Sequence, residues 1–381
     1  MTGGGTGGHI YPAVAIADEI RRRNPEAEIL FVGAEKGLEK KLVPKSGYDI
    51  ELIPVAGFDR KNLIKNIEVV RKLIKGNARA KNIIKSFRPD FVVGTGGYAS
   101  APMVKTAQKM GIPTYIHEQN AYPGVTNKLL ERGARKVFLG FAKAGENFKC
   151  RDKIVVTGNP VREEFMNPDS RGAREKLGFR DDEFVVLSFG GSQGAGRINK
   201  AMIDVIRKYN GCEGIRICLG AGSYYYAAIM ESFAEEGFVL GDNISIMEYI
   251  DDMASYLAAA DLVISRSGAL TVAETTVSGA PALFIPSPMV TGNHQYYNAL
   301  AVAEKGGAII IKEAELEDEV LADRIEELRK SPIILSEMAE ASLSCGLPQA
   351  TEIICDTILG DYRKWAKRRK EEKSVHYLRC L

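Results

Sequence analysis

Glu274 closes the run DLVISRSGALTVAE (residues 261–274) and is the acid around which the chain can be read. Asp261 to Ser265 is short and apolar, the pattern of a buried strand. Gly268 to Thr276 then reads as a helix carrying Glu274. Between them the small residues of Ser265-Arg266-Ser267-Gly268-Ala269 let a backbone-sized group approach the helix start. Pro281 to Pro286 is the next strand, and a loop rich in Pro, Gly and Ser then presents His294, Gln295 and Asn298. A carboxylate can accept from two neighbouring hydroxyls at once, and polar side chains at the carboxyl end of a parallel sheet are where α/β proteins hold ligands. The chemistry suited to this set is recognition of a hydroxylated ligand. The plainer reading makes Glu274 a local ion-pair partner and the amides ordinary surface groups.

Glycine-rich turns supply a second kind of chemistry. Thr2-Gly3-Gly4-Gly5-Thr6-Gly7-Gly8-His9 precedes an amphipathic stretch from Pro12 to Arg23, read as a helix with Pro12 in its first turn. Gly96-Gly97-Tyr98-Ala99-Ser100 follows the apolar run Asp90 to Gly94. Gly190-Gly191-Ser192-Gln193-Gly194-Ala195-Gly196 follows Phe184 to Phe189. Backbone N–H groups in such turns can cradle a phosphate or a sugar. None is a Walker A loop, and none is a G-x-G-x-x-G followed by a ribose-binding acid. For the first turn the plain alternative is a flexible tail. Pro113 to His117 is a strand ending in His117-Glu118-Gln119-Asn120, followed by Tyr122-Pro123-Gly124-Val125-Thr126-Asn127.

The elements that must position these residues repeat one plan of strand, glycine turn and helix. At 381 residues, two domains are expected, with a linker near 160–170 because 167–174 is polar and helix-poor. Further strands are read at 28–32, 50–54, 136–139, 154–156, 215–219, 244–247 and 308–312, and mostly charged helix at 313–330. A glycine turn of this kind normally follows a buried strand, yet only Met1 precedes Thr2. The expectation is therefore that an apolar strand upstream of residue 2 is missing, through truncation or a missed start. The stretch 61–85 reads as a basic helix. Its apolar face would be Leu63, Ile67, Val70 and Ile74, ringed by Lys65, Arg71, Lys72, Lys75, Arg79, Lys81 and Lys85. That helix either packs on the sheet with a solvated basic side or docks on anionic lipid, and both can hold.

Residues 1–160 carry 27 Lys+Arg against 15 Asp+Glu, net +12, and the rest carry 24 against 34, net −10. The split suits an anionic partner for the first half, with nucleic acid, a phospholipid surface and a phosphorylated lipid all eligible. The six cysteines form no C-x-x-C pair, so no zinc set or disulfide framework is indicated and a reducing cytoplasm fits. No run of 18 apolar residues spans a membrane. From Arg363 the tail is basic, and a solvated, partly disordered end is expected.

TGGGTGGH (2–9), GGYAS (96–100), HEQNAYPGVTN (117–127), GNPVR (158–162), GGSQGAG (190–196), the Glu274 run and HQYYNA (294–299) together resemble the GT-B sugar-nucleotide glycosyltransferases. Within them the resemblance is to the bacterial cell-wall enzymes of peptidoglycan synthesis that convert lipid I into lipid II. It covers about residues 2–360. It implies an α/β fold of two Rossmann-like domains whose parallel sheets face across a cleft. The first domain (1–163) would take the acceptor and the membrane. The second (164–345) would hold UDP-N-acetylglucosamine. A terminal helix (346–362) would return to the first domain, ahead of a basic tail (363–381). The reaction implied is inverting transfer of N-acetylglucosamine to the MurNAc C4 hydroxyl of undecaprenyl-pyrophosphoryl-MurNAc-pentapeptide. No metal, cofactor or nucleic acid is implied, and the site would be peripheral on the cytoplasmic face of the membrane, against an anionic surface.

Position by position, the resemblance makes Glu274 the ribose-gripping acid and Arg162 a diphosphate contact. Ser192 and Gly191 fall in a nucleotide loop, and Gln295 reads the sugar hydroxyls with Asn298 nearby. Thr6, Gly7, Gly8, Asn120 and Ile250 also fall on the donor side. Gly97, Tyr98, His117 and Asn127 fall on the acceptor side. His9 and Glu118 are the two choices for general base. A related GT-B enzyme acting on another lipid, such as diacylglycerol, and a non-catalytic nucleotide- or lipid-binding protein are the alternatives.

Overall fold

A computed structural model describes residues 1–57, 65–317 and 319–379, without the side chains of 65–67 and 369–379. Contacts divide the chain into two units: Met1–Val161 with the segment from Pro348 onward, and Arg162–Leu347.

The first unit runs α1 (Gly7–Arg23), β1 (Leu30–Ala34), α2 (Glu39–Lys45), β2 (Asp49–Ile53), α3 (Lys65–Phe87), β3 (Val92–Gly94), α4 (Ser100–Lys109), β4 (Thr114–Glu118), α5 (Val125–Leu130), β5 (Lys136–Leu139) and β6 (Ile154–Val156). β1 pairs with β2, and β3 to β6 form a second parallel set in chain order. Thr2 joins the two sets through parallel bridges to Val32 and to Gly94. Its N–H donates to Val93 O at 2.8 Å, and its carbonyl accepts from Thr95 N at 2.9 Å. Met1 and Thr2 lie in the slot between β1 and β3. Successive strands leave that slot first on one side and then on the other, so the turns after Thr2 and after β3 flank a topological switch point.

The second unit runs α6 (Ser170–Leu177), β7 (Phe184–Phe189), α7 (Gly196–Tyr209), β8 (Ile215–Gly220), α8 (Tyr226–Glu235), β9 (Ile244–Met247), α9 (Met253–Ala259), β10 (Leu262–Ser265), α10 (Ala269–Val277), β11 (Ala282–Phe284), α11 (His294–Ala303), β12 (Ala308–Ile310), α12 (Val320–Arg329) and α13 (Pro332–Cys345). Its six-stranded sheet has the order β12-β11-β10-β7-β8-β9, with every pairing parallel. Here the switch lies between β7 and β10, so the turns after Phe189 and Ser265 share one edge. The strands read as unbroken apolar runs because helices cover both faces. Val185, Val186 and Leu187 are fully buried.

α14 (Ala350–Arg379) belongs to the first unit and packs along α1. Ile354, Cys355 and Ile358 are fully buried there, among Ile16, Val93, Tyr115 and Phe138. Asp361 accepts from Tyr115 Oη at 2.7 Å and from Arg135, whose hydrogen bonds hold its carboxyl below the usual range. Burying two isoleucines is worth roughly 3–6 kcal/mol. A partly exposed ion pair adds about 1 kcal/mol or less, so packing holds the helix and the polar set fixes its register.

Several sequence expectations need correcting. α1 starts at Gly7, so Pro12 sits in the second turn and cannot donate to the Gly8 carbonyl. On α3 the packed stripe is Val69, Ala80, Ile83 and Ile84; Val70 is 45% exposed and Ile74 65%. The expected face had counted through these two residues, but the sheet takes the neighbouring stripe. Leu63 lies outside the described residues, as does the side chain of Ile67. Residues 170–177 are helical, capped by Asp169 accepting from Gly172 N and ended by Gly178 at φ +72°. The basic tail continues α14 to Arg379.

Candidate functional site

In the first unit two glycine turns interlock. Gly97 has φ +80°, and a Cβ on it would stand 2.2 Å from Gly4 O. Gly96, at φ +100°, lies flat against the His9 ring, where a Cβ would be 2.9 Å from Nδ1. His9 enters from the first turn of α1, and its Nδ1 lies 3.0 Å from Thr95 O and 3.0 Å from Gln119 Oε1. Among the described residues nothing in the protein bonds its Nε2. Thr95 Oγ1 donates to His9 O at 2.7 Å, tying the two turns together. Thr6 is the exposed residue before α1 and makes no side-chain cap, so the N–H groups of Gly7 and Gly8 stay open at the helix start. Tyr98 is exposed and lies over Gly57.

Glu118 has a different place from His9. Its carboxylate is buried and accepts from Asn120 N (3.0 Å), Asn120 Nδ2 (3.3 Å), Gly124 N (3.0 Å) and Asn127 Nδ2 (2.9 Å). Both oxygens are occupied in closing the loop after β4. Asn127 Nδ2 also reaches His117 O at 3.1 Å. His117 is wholly buried, and burial takes its imidazole down to about 4, so it is neutral near pH 7.

In the second unit the turn after β7 nests against the turn after β8. A Cβ on Gly194 would be 2.0 Å from Ala221 O, and one on Gly222 2.0 Å from Gly194 N. Gly191 (φ +92°) and Ser192 are exposed at its tip, and α7 begins without a side-chain cap. Its open N–H groups and dipole suit an anion. Ile250 is buried against Gly220, so only its backbone can face a ligand.

Glu274, on α10, is half-buried, and its carboxylate receives no hydrogen bond from the described residues. Burial pushes its carboxyl up to about 7 against the pull of Arg162. Arg162 pairs with Glu164 at 2.7 Å and lies over the Phe165 ring. Gln295 Oε1 accepts from Ser287 N at 2.9 Å, which leaves its Nε2 as a donor. Asn298 Nδ2 donates to Ser267 O, and Ser267 Oγ to Gln295 O, so α11 is stitched to the turn after β10. Among the described residues no three His, Cys, Asp or Glu side chains gather as a metal set.

Residues 1–139 match the description "Glycosyltransferase family 28 N-terminal domain", and residues 185–354 match "Glycosyltransferase family 28 C-terminal domain". The chain belongs to glycosyltransferase family 28. One family-28 relative is the "UDP-N-acetylglucosamine--N-acetylmuramyl-(pentapeptide) pyrophosphoryl-undecaprenol N-acetylglucosamine transferase" of Acetivibrio thermocellus. It is 44% identical over 358 residues, 94% of this chain and 96% of the other. The Clostridioides difficile protein of the same name is 42% identical over 96% of this chain and 90% of its own length. The crystal structure of Acinetobacter baumannii MurG superposes with a TM-score of 0.74 at 28% identity, covering 94% of this chain and 98% of that one. A UDP-GlcNAc 2-epimerase from Neisseria meningitidis bound to UDP-GlcNAc shares the fold at a TM-score of 0.65 and 15% identity. Each half is a Rossmann-like domain with a parallel sheet, as in the GT-B enzymes.

Two residues that no local sequence pattern marks help to build these turns. Glu39 is fully buried and accepts from Ala34 N at 2.8 Å and Gly5 N at 2.9 Å. Gly4, Gly33 and Gly37 all lack the Cβ that would strike its side chain. Their spacing carries no period, so only the folded chain brings them together. Gln119, inside the HEQN run, bridges His117 to His9.

Proposed function

We propose that this chain transfers N-acetylglucosamine from UDP-N-acetylglucosamine to lipid I, undecaprenyl-pyrophosphoryl-MurNAc-pentapeptide, giving lipid II. The observation that carries the reading is identity of 44% over nearly the full length of an enzyme named for that transfer. The second unit takes the donor. Glu274 accepts from the ribose hydroxyls, and Arg162 with the open N-terminus of α7 faces the diphosphate. Gln295 donates to the sugar. The first unit takes the acceptor through Gly97, Tyr98 and Asn127, and its Thr6, Gly7, Gly8 and Asn120 remain donor contacts.

The acceptor C4 oxygen forms a bond to C1 of N-acetylglucosamine as the bond from C1 to the diphosphate oxygen breaks, with inversion. The hydroxyl proton passes to His9 Nε2, the ring nitrogen that no described residue bonds. UDP leaves with the bonding electrons, its charge met by backbone N–H groups and Arg162. Glu118, saturated by four donors, shapes the loop and takes no proton.

Membrane attachment is part of the proposal. Val70 and Ile74 stand exposed on α3 beside Arg71 and Lys75, a pairing of apolar and basic groups suited to an anionic lipid surface. No described helix is long and apolar enough to cross a membrane.

The test is release of UDP from UDP-N-acetylglucosamine with a soluble lipid I analogue. Turnover with the analogue and none with diacylglycerol is expected. Turnover with diacylglycerol alone would reassign the acceptor, and none with either would leave a binding protein.

A further inference from the structure

Two backbone carbonyls dictate every proton in a row of three side chains. Gly158 O lies 3.2 Å from His117 Nε2, so that nitrogen carries hydrogen. His117 is neutral because it is wholly buried, and its Nδ1 is therefore a bare acceptor. Gln119 Nε2 lies 2.9 Å from that Nδ1 and 2.8 Å from Thr95 O. Turning the amide over would set its oxygen against both acceptors, so the orientation is fixed. Gln119 Oε1 then faces His9 Nδ1 at 3.0 Å, with Thr95 O at the same distance. Two acceptors meet one ring nitrogen, and that nitrogen must hold a proton.

We propose that His117 and Gln119 are positioning residues that hold neutral His9 as its Nδ1–H tautomer, leaving the Nε2 lone pair outward to receive the acceptor's proton. A free neutral histidine favours the opposite tautomer, with hydrogen on Nε2, which could not take a proton from that side. The row overrides this default, because the hydrogen bond at one ring nitrogen sets the state of the other. Gly96 completes the device by letting the ring lie close against the backbone. The inference rests on the reading of His9 as general base, but the tautomer can be observed without turnover.

The experiment is long-range proton–nitrogen correlation NMR on the full chain with labelled histidine. The four histidines are sorted by loss of one signal in His9→Gln. The expected His9 pattern is a protonated Nδ1 and a bare Nε2. Gln119→Leu leaves Thr95 O as the remaining acceptor at Nδ1, so His9 should average between the two tautomers and kcat should fall about 10- to 100-fold, with KM for UDP-N-acetylglucosamine unchanged. A wild-type His9 bearing hydrogen on Nε2, or averaging between forms, overturns the proposal even if Gln119→Leu fails to fold. So does a folded Gln119→Leu with the wild-type pattern and full kcat. The expected pattern together with full activity in His9→Gln would instead overturn the choice of base and leave the tautomer assignment standing.

Discussion

The carbonyl oxygen of Gly4 stands 2.2 Å from where a Cβ on Gly97 would be. Neither turn can move without the other, since Thr95 and Ser100 also bond the first turn's backbone. Gly97→Ala should therefore keep the fold while lowering kcat/KM at least about tenfold, from a misplacement on the order of 1 Å. Gly111→Ala is the control. It has a similar positive φ, but nothing lies within 4 Å of its Cβ, so it should cost only roughly 1–2 kcal/mol of stability. Circular dichroism and transferase assays on both check this, and equal activities would show the interlock to be dispensable.

Glu118→Gln separates a loop clasp from a base. Replacing a carboxylate that accepts four bonds costs roughly 1.5–3 kcal/mol locally, read as faster hydrogen exchange at Gly124. Activity should fall mainly through KM for the acceptor, with the shape of the pH–rate profile kept. Loss of the acidic limb with KM unchanged would restore Glu118 as base.

For Glu274 the sign is set by a folded carboxyl raised to about 7. The folded protein binds this proton more tightly than the unfolded chain, so the group's contribution is fully present below the unfolded value and is lost as pH rises through 7. Glu274→Gln should thus melt about 2–4 °C higher than wild type at pH 8, with no gain at pH 4. Ribose hydroxyls favour the ionised form, so wild-type affinity for UDP should weaken as pH falls below 7. Calorimetry at pH 6 and 8 tests this; a pH-independent Kd in wild type would remove Glu274 from the ribose.

On α3, Ile74→Ser with Lys75→Glu should weaken sedimentation with anionic vesicles. Each basic residue near such a surface is worth about 1 kcal/mol, so the reversal alone predicts a loss of roughly 30-fold. UDP release with a soluble acceptor should be unchanged. Undiminished vesicle binding would move the contact elsewhere.

The anchoring of α14 can be weighed by two single changes. Ile358→Ala should cost about 2–5 kcal/mol, and Tyr115→Phe, which removes one hydrogen bond to Asp361, about 0.5–1.5 kcal/mol. Denaturant unfolding checks the order, and the reverse order would make the polar set dominant.

What sequence could reveal followed from local pattern. The strand Phe184–Phe189 and the glycine turn after it are legible because a buried parallel strand is an unbroken apolar run. Arg162 is singled out by family resemblance alone, since no local spacing distinguishes it from a surface charge, whereas Glu274 also lies on a legible strand, small-residue turn and helix. The packed stripe of α3 was missed because Val70 and Ile74 fit the helical period as well as Val69 and Ala80, and only the neighbouring sheet chooses. Glu39 and Gln119 were missed because partners in other segments set their roles: Gly5 and Ala34 for one, Thr95 and His9 for the other.

The return of α14 to the first unit has a consequence for how the protein is made. On the ribosome the face formed by Ile16, Val93, Tyr115 and Phe138 emerges early, but its cover of Ile354, Cys355 and Ile358 arrives only after Arg162–Leu347 has been synthesised. The half begun first is therefore the half finished last, and the second half can close on its own meanwhile. Until then the nascent chain carries an open apolar surface of the kind that invites misassembly.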